Sequence, residues 1–161
     1  MRNAFLFLLL FSIFISNSWS QNRTSDFGIK GGLNFTFFKT DRGDFGQEVE
    51  SETGAYAGLF VDFGIDDFLS IQPEMLYIGI GEFRFINAPI YAKYKVAEKM
   101  HLMVGPSMNY FFDLFNRKFK IRGDVSAAYN FSPTFDIHIK YTLGFQIISP
   151  NGLFVGLGCR F

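Results

Sequence analysis

Seven charged residues stand in short segments where they alternate with apolar residues. They are Lys30, Asp62, Glu74, Lys93, Arg122, Asp124 and Lys140. Successive side chains of a β-strand point to opposite faces, so these charges would share the face that lies opposite the apolar one. Buried charges need partners of opposite sign. We therefore expect a charge network that either fills an enclosed space as ion pairs or lines a narrow polar path for ions or small solutes.

Other residue types that carry chemistry are sparse. His101 and His138 lack metal-ligand spacing with the single Cys159 or with an acidic residue, so we expect no metal site. The sequence has no nucleophile elbow, phosphate-binding loop or zinc-binding helix motif. We expect no cofactor and no catalysis. The alternative is an enzyme that acts on a lipid or a peptide with residues near the rim of a barrel. Its candidate residues are Asp44, Glu48, Ser107 and His138.

Composition narrows the class of protein. The 161 residues correspond to one domain, and 15 basic residues balance 15 acidic ones. A formal net charge of zero argues against a nucleic-acid partner held by bulk charge. One cysteine cannot form an internal disulfide. The unusual feature is the aromatic content of 19%, which includes 23 Phe.

The N-terminal segment has the pattern of a secretory signal peptide. Arg2 precedes an apolar run at residues 4–15, and the small residues Ser18 and Ser20 precede Gln21. The run is shorter than the ~20 residues that a membrane-spanning helix requires. We predict a signal peptide at residues 1–20, a short leader at 21–25 and a β-barrel at 26–161.

Period-two alternation divides the remaining chain into eight predicted strands. They lie at about residues 26–37, 54–64, 68–80, 83–96, 101–112, 119–131, 135–145 and 152–161. Tilted strands need roughly 9–11 residues to cross a bilayer, so eight strands fit this length. Pro73 lacks a backbone donor, and we expect a bulge or kink there. Residues 39–53 are predicted to form the longest loop, which is acidic and faces the outside.

The last strand defines the architecture. Leu153, Val155, Leu157 and Cys159 share one apolar face, and the residues between them include glycines and Arg160. An unpaired apolar strand would aggregate in water unless it closes a barrel whose outer face meets lipid. We predict that this strand pairs with the strand that starts at Asp26. The sequence also resembles the C-terminal signal recognised by the barrel-assembly machinery, carried here by Leu153, Val155, Leu157 and Phe161.

A soluble ligand-carrying barrel of the lipocalin type would show the same alternation with its apolar face inside. Three features favour the membrane barrel. Charges and glycines alternate on one face, aromatic residues gather near strand ends as interfacial girdles require, and no disulfide pair is present. We predict an eight-stranded antiparallel up-and-down transmembrane barrel in a bacterial outer membrane. Its even strand number places both termini in the periplasm.

Several short motifs resemble the PorT-like outer-membrane β-barrel family of Bacteroidetes-type bacteria. They are the segments at residues 28–34, 70–77, 86–94, 105–107 and 158–161. The resemblance implies an outer-membrane barrel, in a family with one member tied to protein secretion. Asn87 and Ala88 stand where members often carry a more acidic or aliphatic pair.

Three function hypotheses follow from these observations. The first is a non-catalytic structural or accessory membrane protein, linked to secretion or envelope function by the resemblance. The second is a narrow pore for ions or small solutes, and the third is the rim enzyme. The expected partners are membrane lipid, the assembly machinery during insertion and an envelope or secretion protein, with no nucleic acid.

Overall fold

The chain folds into one closed barrel of eight antiparallel strands. The computed structural model describes residues 25–41, 47–112, 118–144 and 151–161. The strands are β1 (Ser25–Asp41), β2 (Gln47–Gly64), β3 (Leu69–Ile80), β4 (Phe83–Ala97), β5 (Met100–Phe111), β6 (Phe119–Asn130), β7 (Phe135–Gly144) and β8 (Asn151–Arg160). The predicted signal peptide lies outside the described residues. Within them, no helix has the length and apolar character needed to cross a membrane.

Each strand pairs with its sequence neighbours, and β8 pairs with β1 to close the barrel. The β1–β8 ladder runs from Phe37 opposite Asn151 to Gly28 opposite Arg160. The predicted closure and the predicted fold class are therefore confirmed.

Alternation sorts the side chains between two environments. In β7, the residues from Phe135 to Leu143 alternate strictly between exposed and buried side chains. The exposed ones are apolar, as they are around the whole wall: Val104 on β5 is 59% exposed and Leu157 on β8 is 58% exposed. The buried side chains fill the lumen. The apolar face therefore points outward, as expected for a barrel in lipid and unlike a lipocalin.

Aromatic side chains gather at both ends of the outer wall. At the end that holds the β2–β3 turn, Phe27 stacks on Phe161 with ring centroids 6.2 Å apart. At the opposite end, Tyr110 contacts Phe112 and Phe119 at centroid distances of 5.3 and 4.9 Å. These two groups have the arrangement of interfacial girdles.

The turns between β2 and β3, β4 and β5, and β6 and β7 lie at one end, which is the periplasmic end in an outer-membrane barrel. Asp66 stabilises the first turn because its Oδ1 accepts hydrogen bonds from the backbone N–H groups of Phe68 and Leu69 at 2.8 and 2.7 Å. At the extracellular end, β3 and β4 are joined by a tight turn in which Gly81 has φ of 54°. Glycine adopts this left-handed conformation at little cost.

The predicted loop at residues 39–53 is wrong, and so is the bulge that was one of the two distortions expected at Pro73. Residues 39–53 are not one long loop, because β1 continues to Asp41 and β2 begins at Gln47, and the two strand ends pair in register. Charged residues alone do not break a strand when its partner strand remains in register. Pro73 causes no bulge: the register between β3 and both neighbours is the same before and after it. The missing N–H interrupts the ladder to β2 without inserting a residue.

Candidate functional site in the lumen

The lumen holds a chain of ion pairs and hydrogen bonds that begins near the periplasmic end. Lys93 on β4 forms a buried ion pair with Asp62 on β2. The Lys93 ammonium also donates to Gln72 Oε1 at 3.1 Å, and Gln72 Nε2 donates to Glu74 Oε1 at 2.6 Å. Lys30 on β1 donates to the same Glu74 oxygen at 2.5 Å. The pairs thus cross the lumen between strands that are not neighbours in the sheet.

A second group of polar side chains surrounds Asp124 on β6, which is fully buried. Its carboxylate accepts hydrogen bonds from Ser107 Oγ at 2.8 Å and from Tyr91 Oη and Asn87 Nδ2, both at 3.4 Å. Lys140 Nζ lies 3.7 Å from Asp124 Oδ2 and donates to Asn87 Oδ1 at 2.6 Å. One carboxylate thereby joins four strands across the barrel.

A third group links three side chains in a row. His138 lies between Asp136, whose Oδ1 is 3.1 Å from Nδ1, and Tyr56, whose Oη is 2.6 Å from Nε2. Glycines on β8 leave room for it. A Cβ at Gly156 would meet the Tyr56 hydroxyl and the Gly31 carbonyl, and one at Gly158 would meet the Asp136 carboxylate. All three members are buried, which leaves the row no open access for a substrate.

The extracellular half of the lumen contains an apolar cluster. Its members are Tyr56, Leu76, Ile78, Ile80, Phe85, Phe111 and Phe154. Phe85 and Phe111 stack with ring centroids 4.7 Å apart, and Ile78 has no exposed surface. Close packing of this kind leaves few voids larger than a water molecule. The alternation rule did not predict this cluster because both faces of β3 become apolar after Met75, which removes the contrast.

Arg122 lies beside this cluster rather than in an ion pair. Its guanidinium is 5.1 Å from the centre of the Phe111 ring. Among the described residues, the Nε and Nη2 atoms of Arg122 have no hydrogen-bond partner. The aromatic face supplies part of the stabilisation that a carboxylate would give, since a ring face attracts a cation.

A cavity of about 130 Å³ lies at the periplasmic end of the lumen. Asp62 and Lys93 form part of its lining, together with His101 and Arg160. Arg160 Nε is 3.9 Å from Asp26 Oδ2, and both side chains are partly exposed. The cavity is therefore a polar mouth, and its inner wall is the first ion pair of the network.

The structure places all seven sequence-predicted network residues inside the barrel. Six of them form ion pairs with one another, and Arg122 is the exception. The sequence did not assign Tyr56, Gln72 and Asn87 to the network, and it assigned Ser107 and His138 to the rim-enzyme alternative; all five connect the charges. Alternation puts each of them on the inward face, and that signal could have found them.

The residues of the rim-enzyme alternative are not brought together. Ser107 is bonded to Asp124, whereas His138 is bonded to Tyr56 and Asp136, and both are buried in the lumen rather than at a rim. Asp44 and the side chain of Glu48 lie outside the described part of the chain. In that described part, no three His, Cys, Asp or Glu side chains are grouped to hold a metal ion.

Comparison with solved structures identifies the same architecture in several outer-membrane proteins. The attachment invasion locus protein Ail of Yersinia pestis, solved with the heparin analogue sucrose octasulfate, is 14% identical, with a TM-score of 0.55 over 85% of this chain and 99% of that one. Neisserial surface protein A is 14% identical, with a TM-score of 0.55 over 85% and 97%. The N-terminal barrel domain of Pseudomonas aeruginosa OprF is 11% identical, with a TM-score of 0.53 over 87% and 100%.

These similarities concern the fold. No protein-family model matches the sequence, and a search of curated proteins finds no match either. A closed eight-stranded barrel with an apolar outer wall and aromatic girdles is the architecture of bacterial outer-membrane proteins. The protein is located in that membrane, where its outer wall contacts lipid.

Proposed function

We propose that this protein is a non-catalytic structural or accessory component of the outer membrane, and that its lumen is closed to solutes. The observation that carries the proposal is the filling of the lumen along its length. The ion-paired groups occupy the middle and the periplasmic half. The extracellular half holds the apolar cluster together with buried polar side chains, which are Asn34, Thr36, Asn109, Lys120 and Arg122. An eight-stranded barrel is only just wide enough for its inward side chains, so this filling leaves no continuous water path.

The same packing argues against the two alternatives. A pore needs a polar route at both ends, and the polar cavity at the periplasmic end faces the buried Asp62–Lys93 pair. A rim enzyme needs an accessible nucleophile or base, and Ser107 has no exposed surface. We further propose, from the sequence resemblance, a PorT-like role in secretion or envelope function. Insertion by the barrel-assembly machinery through β8 and the Phe161 that follows it belongs to the same proposal.

Planar-bilayer conductance of the refolded protein tests the closed lumen. We expect a silent wild type, and we expect an Asp124→Asn, Glu74→Gln double variant to be destabilised and still silent. Reproducible open events in the wild type, with an ion selectivity that shifts in the double variant, would instead establish the pore.

A second pair of variants tests whether the recording would detect openings if the lumen were less tightly filled. Removing the stacked rings of Phe85 and Phe111 by substitution with Ala opens space in the apolar cluster, and we expect brief openings in this variant. Val104→Ala shortens an apolar side chain on the outer wall, outside the lumen, and serves as the control. We expect no openings in this variant.

A further inference from the structure

The hairpin of β1 and β2 extends beyond the rest of the sheet. Within the described residues, β1 pairs with β8 as far as Phe37, and β2 pairs with β3 as far as Gly54. The pairing between β1 and β2 continues past these points to Asp41 opposite Gln47. Residues 38–41 and 47–53 therefore form a two-stranded ribbon at the extracellular end. We call it the acidic ribbon.

The acidic ribbon presents backbone groups that no described strand pairs. Backbone groups of successive residues in a strand point alternately to the two neighbouring strands. The backbone N–H of Phe161 donates to the carbonyl of Phe27 at 2.8 Å. The backbone N–H and C=O groups of odd-numbered β1 residues therefore point toward β8, and those of even-numbered residues point toward β2. In the β1–β2 ladder, Asp26 lies opposite Asp62, so even-numbered residues of the two strands face each other. The backbone groups of even-numbered β2 residues therefore point toward β1. The odd-numbered residues Val49 and Ser51 consequently direct their N–H and C=O groups to the open edge.

The negative charge of the acidic ribbon favours a positively charged partner at this edge over a second copy of the chain or a lipid surface. The ribbon carries Lys39 against Asp41, Glu48, Glu50 and Glu52, a net charge of −3. A second copy of the chain would bring two ribbons of the same sign together, and like charges across an interface are unfavourable. The anionic groups of a lipid surface would be repelled in the same way. A positively charged segment is attracted, and exposed Glu52 and Ser51 are accessible to it.

We propose that the open edge of β2 in the acidic ribbon binds an extended, positively charged polypeptide segment of a partner protein as an added β-strand. Backbone hydrogen bonds to an exposed edge provide affinity in this mode of recognition, and side chains on the added strand provide selectivity. The proposal goes beyond the closed-lumen function. Conductance and peptide binding are separate measurements, so either can fail without the other.

The probe is an amidated octapeptide of alternating Lys and Thr that carries an uncharged fluorophore at its N-terminus, and its binding to the full protein in detergent micelles at low salt is measured by fluorescence anisotropy. A matched peptide with Glu in place of Lys is the charge control. We expect saturable binding of the Lys peptide and no binding of the Glu peptide. Absence of saturable Lys-peptide binding would overturn the proposal.

Variants at Ser51 separate strand addition from nonspecific charge attraction. Ser51→Pro removes the edge-facing N–H and keeps the charge, and proline is tolerated where the N–H is unpaired. We expect about tenfold weaker binding, as for the loss of one or two backbone hydrogen bonds, whereas Ser51→Ala stays within about twofold. Equal binding by wild type and Ser51→Pro would refute strand addition.

Hydrogen exchange in the wild type gives a readout that does not depend on folding of a variant. The amides of Val49 and Ser51 should exchange more slowly when the Lys peptide is bound, because they become donors to the added strand. Unchanged exchange at both amides under saturating peptide would also refute the proposal.

Discussion

Glu74→Gln is the substitution whose effect is most directly determined by the lumen network. It removes the carboxylate that Lys30 Nζ contacts at 2.5 Å and to which Gln72 Nε2 donates at 2.6 Å. At 2.5 Å and an effective dielectric constant of about 20, the Coulomb attraction between unit charges is roughly 6–7 kcal/mol. The desolvation of both groups offsets much of this. Removal of one partner of a buried pair costs about 3–5 kcal/mol, because the other charge remains buried.

The glutamine retains an acceptor for Lys30, so we expect a loss of unfolding free energy near 3 kcal/mol, the lower limit of the range of about 3–5 kcal/mol. The double variant Lys30→Met, Glu74→Gln removes both charges. Methionine places an uncharged side chain of similar length near the Phe60 ring, whose centroid is 5.0 Å from Lys30 Nζ. We expect the double variant to be more stable than Glu74→Gln alone by about 1 kcal/mol or more, since the uncompensated charge is gone.

Unfolding in urea, followed by far-ultraviolet circular dichroism of the protein in lipid vesicles, measures these differences. A linear dependence on denaturant gives the free energy of each variant from its midpoint and slope. The reasoning is refuted by a Glu74→Gln variant as stable as the wild type. The single variant Lys30→Met is measured as well. The reasoning is also refuted if the double variant loses as much unfolding free energy as Lys30→Met and Glu74→Gln lose together, because additivity would mean that the two charges do not interact.

Three further predictions test the close packing, the outer wall and a turn by the same unfolding measurement. Gly156→Ala should cost about 1–3 kcal/mol because its Cβ would meet the Tyr56 hydroxyl and backbone, whereas Gly79→Ala, with its nearest contact at 3.4 Å, should cost much less. An equal loss in both would contradict the packing. Val104→Arg, on the outer wall near the middle of β5, should cost about 2–4 kcal/mol in lipid, and Glu82→Arg in a turn about 0–1 kcal/mol; a harmless Val104→Arg would contradict the lipid contact. Gly81→Ala should cost about 1–2 kcal/mol because φ is 54° there, and no loss would mean that the turn adopts another conformation.

The sequence was sufficient for the fold because alternation is a property of the strand backbone itself. Where one face is charged and the other apolar, as with Lys140 between Ile139 and Tyr141, the direction of each side chain follows without knowledge of the neighbours. Eight such segments, with turns between them, define a closed barrel. The length of β2 was not predicted, because its first seven residues are polar apart from Val49 and lack an apolar face, and only their pairing with β1 shows that they are strand.

The pairs inside the lumen could not be read from the sequence. Lys30 on β1 meets Glu74 on β3, and Asp62 on β2 meets Lys93 on β4, so each pair crosses over an intervening strand. Such contacts depend on the tilt and register of the whole barrel, and those are set by all eight ladders together. Alternation gives the face on which a charge lies, and it gives neither its height nor its partner. Arg122 is an example: it lies on the same face as Asp124, and it contacts the Phe111 ring rather than a carboxylate.

The lumen must supply much of what makes this barrel stable. Its outer side chains contact lipid that is as apolar as they are, so packing among them gains little over lipid contact. Inside, the apolar cluster excludes water on the extracellular side of the pair between Asp124 and Lys140, and electrostatic attraction strengthens where water is absent. The same exclusion makes any unpaired charge costly, so the cluster and the pairs depend on each other. For the closed lumen that we propose, a conducting state would have to break both the apolar cluster and the ion pairs.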